Sequence, residues 1–576
     1  MRYPLDEFRR EVENKLIEAL ESRDIKPGEI KLEIPPSPDM GDLAFACFPL
    51  AKIMKKPPQE IARELSMTIE RGKWVREVEV EGGYINFFVN ERKLVKETIK
   101  LIRTLDERYG SFEKKKEKVI IEHTSANPNG PLHVGRARNP IIGDTLVRLY
   151  RFYGYNVDAQ FYVDDLGKQV AILAWGLKNI DPSTLPEPSR DKPDHYLVRF
   201  YQKAYQLMEE NEKVAEEISE ITRLCEKGDE KTIEMVKSAY TKALEGIKES
   251  LKEINIEFNS FVEESRFVRD GSVDKVVSAL KESGYASQEG GAWYIDLKDF
   301  GIEGRDTRFF FTRSDGTTLY ATRDIAYHIW KAEQADILIN VLGEDHKLEA
   351  KQVEIALKIL GIKKLPKVVF YSFVTLPEGK LSTRRGRVIY LDDLIDEAVE
   401  RAYEEVKKRR GEELSEEELR KIAKSVGVGA LRYNIIKIQP EKDIIFKWEE
   451  ALNFEGNSAP FIQYAHARAC SILRKEAPPK NVEIENLNHK QEILLIKTLA
   501  RFPIIVRDAC LNNKPHLIPS YLFELASQFN QFYRDCPVLK ADSEVLKKER
   551  LALVDSARIV LRNGLHLLGI DAPEEM

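Results

Sequence analysis

A histidine two residues ahead of a glycine sits in GPLHVGR (Gly130–Arg136), at the end of a turn-rich stretch that follows the apolar run KVIIE (Lys118–Glu122). In a parallel sheet such a turn lies at the carboxyl end of a strand, where loops meet helix amino termini and anions are favoured. Gly130 and Pro131 shape the turn, Gly135 lets a nucleotide approach the backbone, and His133 can donate to a phosphate as charge develops. A lone His-x-Gly serves equally well as a cap or a surface residue. A second chemical stretch, EGKLSTRRGRVIYLDDL (Glu378–Leu394), sets Lys380 in a polar loop crowded with Arg384, Arg385 and Arg387. A cationic loop on the far half of a split α/β unit suits a departing pyrophosphate, because such transfers rest on positioning and charge neutralisation.

The elements that must hold these residues follow from the patterning. Residues 1–112 read as a small α+β unit: an initial helix, a Pro-rich turn IPPSPDMGD, a helix near PQEIARELSMTIE and strand-like EVEVEGGYINFFVN. From Lys118 a buried strand, a turn, the helical run NPIIGDTLVRLYRFYGYNV and strand-like VDAQFYVDD make the start of a parallel α/β sheet. Residues 166–260 are charged and helical, and we expect an insertion between two halves of that sheet. Strand-like runs resume with AWYIDL, DILINVL and KVVFYSFVTL, and the chain is almost wholly helical from there to Met576. The expected division is 1–112, a catalytic α/β region 113–400, a helical connection 401–453 and a helical bundle 454–576.

Composition narrows the class. Of 576 residues, 32% are charged and 43% hydrophobic, which fits a globular protein rather than a disordered or membrane chain. No apolar stretch approaches the roughly 18 residues of a membrane span. The amino terminus MRYPLDEFRREVENKL lacks the apolar segment of a secretory signal, so a cytoplasmic protein is expected. Five scattered cysteines form no C-x-x-C or Cys/His cluster, so no zinc site is expected. The net charge of -6 offers nucleic acid no global attraction, and the basic runs Lys114–Lys116 and Lys407–Arg410 read as solvated helix faces.

SANPNGPLHVGRARN and GKLSTRRGRVIYLDD resemble the His-Ile-Gly-His and Lys-Met-Ser-Lys signatures of class I aminoacyl-tRNA synthetases. With EHTSANPNGPLHVG, YVDDLGKQ, RSDGTTLYATRDIAYH, VLGEDH, FEGNSAPFIQYAHARACSIL and YLFELASQFNQFY, the resemblance narrows to the arginyl-tRNA synthetase family. It implies a Rossmann-type catalytic domain between a small α+β domain and an all-α bundle. It also implies adenylation of arginine by ATP with Mg²⁺, then transfer to the 3′ end of tRNA(Arg), members generally requiring bound tRNA for the first step. Carried over, His133, Gly135 and Lys380 are catalytic and hold ATP, joined by Gly343, His346, Ser382 and Arg384. The arginine pocket falls on Glu122, Asn127, Tyr320 and Asp324; if LYATRDIAYH is helical, the last two share a face, and an acid beside an aromatic suits a planar guanidinium. Asn86 and Phe87 would touch the tRNA corner, and Tyr464, His466, Arg468 and Arg474 the anticodon.

Two positions depart from the signatures. Arg136 stands for the second His and Thr383 for the second Lys, while Gly130 occupies the place where many family members carry a compensating Lys. We expect Arg136, with Arg384 or Arg385, to supply the missing charge. No protein-held metal, tightly bound organic cofactor, membrane or DNA partner is expected, and the protein is expected to be a monomer. The rival readings are another class I synthetase such as the cysteinyl enzyme, whose zinc ligands are missing, and a tRNA-binding paralogue with a decayed site.

Overall fold

The structure, a computed structural model, describes residues 3–26, 28–303, 307–376, 379–380, 389–411 and 413–576, with the backbone alone at 38, 376, 379 and 380. Its centre is a sheet of β1 (Lys118–Glu122), β2 (Asn156–Val163), β3 (Ser260–Glu263), β4 (Ile337–Gly343) and β5 (Lys367–Tyr371). All neighbours are parallel, in the order β5-β4-β1-β2-β3. Strands covered on both faces need near-continuous apolar runs, which is why KVIIE and ILINVLG do not alternate. The chain leaves β1 for β2 and β3 on one side, then returns to lay β4 on the other. The crevice between the carboxyl ends of β1 and β4 is therefore the switch point, where such sheets bind ligands.

Helix α1 (Arg138–Phe152) connects β1 to β2 and is buried along most of its length. Its Gly143 permits that closeness, since a Cβ there would lie 2.2 Å from the His123 ring. The expected insertion at 166–260 is instead the crossover between two adjacent strands: its four main helices, from Lys168 to Glu253, join β2 to β3, which pair from Gln160 and Ser260 onward. The extra material of the sheet lies later, between β3 and β4. There Ala286–Glu289, Ala292–Asp296 and Arg308–Phe310 make a separate antiparallel sheet, and helix α2 (Tyr320–Gln334) leads back to the centre. The AWYIDL run belongs to this small sheet because Gly290 and Gly291, both at positive φ, close a two-residue hairpin before it.

After β5, Val374–Leu376 pairs antiparallel with Gly379–Lys380 and parallel with Ile444–Ile445. Helices α3 (Leu391–Arg410) and α4 (Glu416–Ile436) follow. A capping box starts α4, Ser415 Oγ accepting from Glu418 N and Glu418 Oε2 accepting from Ser415 N at 2.8 Å. The terminal bundle is α5 (Ala459–Lys475), α6 (Lys490–Leu511), α7 (Leu517–Asp535) and α8 (Glu544–Leu567). In the leading region a four-stranded antiparallel sheet packs with helix Pro4–Glu21 around Phe8, Leu16, Ile85 and Phe87. All five cysteines are buried and free. Among the described residues no helix is long and apolar enough to cross a membrane.

Burial pushes His466 on α5 down to about 4, with the Pro573 carbonyl partly opposing this. A base with a depressed folded-state pKa stabilises the fold fully above its unfolded value of about 6.5, and this contribution is lost as pH falls toward 4. Acidification from pH 7 to pH 5 should therefore destabilise the wild type by about 2 kcal/mol more than His466→Asn, whose amide still reaches Pro573 but does not titrate. Urea unfolding of both proteins at the two pH values checks this, and equal losses would contradict it.

Candidate active site at the switch point

The loop leaving β1 is held in an unusual shape. Thr124 and Ser125 sit at φ +70° and +41°, rare for residues with a Cβ. Hydrogen bonds hold them there: Asn139 Oδ1 accepts from Thr124 N at 2.6 Å, Ser125 Oγ donates to Glu122 Oε1 at 3.2 Å, and Ser125 Oγ accepts from Tyr162 N at 3.2 Å. Asn139 also donates to the Val341 carbonyl at 2.9 Å, so one side chain at the start of α1 ties β1 to β4 across the crevice.

His133 caps the short turn that precedes α1. Its Nδ1 accepts from Gly135 N at 3.1 Å, so a neutral imidazole carries its proton on Nε2. The cap reading and the signature reading thus fall on the same residue. A Cβ at Gly135 would lie 3.2 Å from His133 Nδ1. This turn is bonded to the residues that follow the second signature: Val134 N donates to Ile389 O at 3.2 Å and Leu391 N to Leu132 O at 2.8 Å. Buried Arg138 reinforces the junction, donating to the carbonyls of Ser372, Lys442 and Gln439 at 2.6–2.8 Å.

Arg136 is exposed and close enough to His346 and Tyr371 to act on both electrostatically. His346, just beyond β4, is raised chiefly by its 2.9 Å bond to Glu349. At Gly343 an added Cβ would meet Asp345 Oδ1 at 2.3 Å. The backbone of Lys380 is described, paired with Thr375. Ser382, Thr383, Arg384, Arg385 and Arg387 lie outside the described residues.

Beside this turn opens a cavity of about 180 Å³, lined among others by Asn127, Tyr162, Asp164, Glu264, Tyr320 and Asp324. Tyr320 and Asp324 do share one face of α2, with Tyr320 at the mouth at 44% exposure. Burial alone would raise the Asp324 carboxyl, but His328, with Lys331 and His346 beyond it, holds it below its ordinary value. His328 Nδ1 donates to the Asp324 carbonyl at 2.8 Å and lies 3.1 Å from Asp324 Oδ1, while its Nε2 accepts from Asn340 at 2.6 Å and faces Lys331 at 3.2 Å. Glu122 is placed differently from Asn127. It does not line the cavity, and its Oε2 accepts from the fully buried Lys331 at 2.7 Å.

Tyr162, Asp164, Glu264 and His328 escaped the sequence reading. The available signal was the acidic ends YVDD and VEES of two strand-like runs, which converge only when β2 and β3 are known to be neighbours.

The residues singled out for RNA divide. Tyr464 is exposed, and the Arg468 guanidinium lies 4.8 Å over its ring and 5.1 Å over that of Tyr533. They line an open cleft of about 700 Å³ with Arg474, Arg534 and Lys540. His466 does not join them, being 2% exposed and donating to the Pro573 carbonyl at 2.9 Å. Asn86 and Phe87, at 4% and 0% exposure, are interior because their strand lies between two others and Phe87 faces the core.

Three family descriptions match the chain: tRNA synthetases class I (R), catalytic domain, over residues 98–448; DALR anticodon binding domain over 462–576; and arginyl tRNA synthetase N terminal domain over 6–89. The arginine–tRNA ligase of Methanocella arvoryzae is 50% identical over 92% of this chain and 92% of the relative. That of Methanothermobacter thermautotrophicus is 45% identical over 98% and 99%. The solved arginyl-tRNA synthetase of Thermus thermophilus superposes with a TM-score of 0.85 at 29% identity, covering 99% of this chain and all of that one.

Proposed function

The chain belongs to the arginyl-tRNA synthetase family and is an arginine–tRNA ligase, and from that premise we propose that the cavity beside α2 holds the arginine side chain while the His133 turn holds ATP. The enzyme activates arginine with ATP to arginyl-adenylate, then passes the arginyl group to the 3′ end of tRNA, releasing pyrophosphate and AMP. The observation that carries the residue assignment is the meeting, at one switch point, of the His133 turn and a cavity holding Asp324 below a half-exposed Tyr320.

Asp324 takes the guanidinium, whose planar fork matches a carboxylate, and Tyr320 lies along its flank. Asn127 holds the α-amino group, with Glu122 supporting the loop from beneath through Ser125. On the nucleotide side, His133 donates from Nε2 to phosphate, Gly135 and Gly343 leave room for the nucleotide, and His346 lies on the adenosine side. Lys380, with Ser382 and Arg384, neutralises the departing pyrophosphate. The carboxylate of arginine attacks the α-phosphate, so no enzyme nucleophile is required.

Mg²⁺ enters with ATP on its phosphates, as is usual for this ion. Among the described residues the one cluster with metal-ligand spacing is Asp194, His195 and Asp392, and Lys192 already occupies it with bonds to Asp392 at 3.0 Å and Asp194 at 3.3 Å. The cleft of Tyr464 and Arg468 takes the anticodon loop by stacking and phosphate contact. On the same reading the enzyme works in the cytoplasm as a monomer. A decayed paralogue that only binds RNA is not favoured, since the acids of the cavity and the His133 turn are in place.

Arg136 replaces the second His of the signature and projects toward the His346 side of the crevice. Its removal in Arg136→Ala should slow tRNA-supported ATP–pyrophosphate exchange by about a hundredfold, the scale for one preorganised group on transition-state charge. An unchanged rate would take Arg136 out of the reaction.

A further inference from the structure

We propose that the side of helix Pro193–Glu210 bearing Tyr201 and Tyr205, continued by Asn129, Gln169 and Lys168, receives the unpaired 3′ end of tRNA and leads it to the mouth of the cavity at Tyr320. This rests on the reading that the cavity beside α2 is where arginine is activated.

The helix lies directly against the His133 turn. A Cβ at Gly130 would stand 2.7 Å from Val198 Cγ2. Gln202 Nε2 donates to Tyr390 OH at 3.4 Å, and Tyr390 bridges to His133. On another flank the helix runs tight along Lys168–Asn179, where a Cβ at Gly176 would meet Phe200 O at 2.8 Å and the Ala204 Cβ at 3.1 Å. Tyr201 and Tyr205, four residues apart, share one side. Their rings are 6.2 Å apart, and Tyr205 is 41% exposed. Tyr196, equally exposed, points half a turn away and is covered by the Arg199 guanidinium 4.4 Å over its ring.

From Tyr205 a continuous row of side chains reaches the cavity. The Tyr201 phenol lies against the Asn129 amide. Asn129 Nδ2 donates to Gln169 Oε1 at 2.8 Å. The next residue back is the exposed Lys168, whose backbone N–H reaches the Tyr320 phenol at the mouth. In the other direction the helix ends in exposed Glu209 and Glu210, which repel phosphate, so a nucleic-acid strand joins the row at Tyr205.

The reaction fixes what must occupy this row. Transfer brings the terminal ribose to the activated carboxylate, so the nucleotides just before it lie on the protein outside the mouth. Aromatic faces stack unpaired bases, the amides of Asn129, Gln169 and Gln202 offer donors and acceptors to base edges, and the Lys168 ammonium neutralises a phosphate.

Tyr205→Ala should lower kcat/KM for tRNA in aminoacylation by roughly five- to a hundred-and-fiftyfold, the range for one stacked base. Tyr205→Phe, which keeps the ring, should stay near the wild type, and the KM for arginine should not move in either. Binding of tRNA(Arg), whole or lacking its last three nucleotides, to wild type and Tyr205→Ala completes a cycle. The substitution should weaken binding of the whole tRNA and leave that of the shortened one unchanged. Equal losses with both tRNAs, an unchanged kcat/KM, or a loss as large in Tyr205→Phe overturns the row as the 3′-end surface. If the row fails while Asp324→Asn still raises the arginine KM, the pocket stands without it; an arginine KM indifferent to Asp324→Asn overturns the pocket itself.

Discussion

Asp324→Asn raises the KM for arginine by about a hundredfold or more, with a smaller effect on kcat and little on the KM for ATP. Removing one charge from a buried, hydrogen-bonded ion pair costs roughly 2–5 kcal/mol, a factor of about thirty to several thousand. Asp324 belongs in that range because it is ionised at neutral pH and enclosed, with His328 holding its carboxylate. An Asn has nearly the same shape and keeps the helix intact, so the change reports on charge. The guanidinium is distant from the reacting carboxylate and makes the same contact before and during adenylation. Its loss is therefore one of uniform binding, which appears in KM. Steady-state exchange kinetics with arginine and ATP varied separately give the split, and an unaltered arginine KM would contradict the assignment.

The second large effect is on stability. Arg432 on α4 is fully buried and makes three bonds to three separate parts of the chain: Nη2 donates to Asp144 on α1 at 2.5 Å, Nη1 to the Ile254 carbonyl at the end of the crossover at 2.5 Å, and Nε to the Leu568 carbonyl after α8 at 2.6 Å. Arg148 also donates to Asp144, at 2.7 Å, and to Asn255 O, also at 2.7 Å. Arg432→Met deletes the three bonds and leaves two buried carbonyls unpaired, with the Asp144 carboxylate on Arg148 alone. Breaking one side of a buried pair costs about 3–5 kcal/mol, so the variant should unfold at much lower urea concentration. Since α1 begins directly after the His133 turn, activity should also become more sensitive to temperature. A loss under about 1 kcal/mol would show that Arg148 carries the junction without it.

What could be read before the fold was known follows a physical division. The strand, turn and helix around His133 are contiguous, so their apolar run, Pro, Gly and capping residues specify local structure directly. Tyr320 and Asp324 are also local, four residues apart on one helix. Asp164 and Glu264 are about a hundred residues apart in the chain and meet only through the pairing of β2 with β3, which no periodicity announces. The crossover at 166–260 was legible as helical and charged but not as a connection between neighbouring strands, because amphipathic helices look alike whether they interrupt a sheet or cross over it. For His466 and Phe87 the sequence left RNA contact and a place in the core both open. Residue types that commonly touch RNA are equally at home in a core, and only their faces, one toward Pro573 and one toward the leading sheet's interior, decide between the two.

The decisive comparison is competition of L-arginine with L-citrulline, its neutral near-isostere, in tRNA-supported adenylation by the wild type and by Asp324→Asn. A site that pairs a buried carboxylate with the guanidinium should prefer arginine by about 10⁴ in kcat/KM, the range for sites that leave buried polar groups unpaired with the wrong ligand. In Asp324→Asn that preference should shrink by about a hundredfold or more. A preference that survives the substitution undiminished would mean that arginine is selected somewhere other than beside α2.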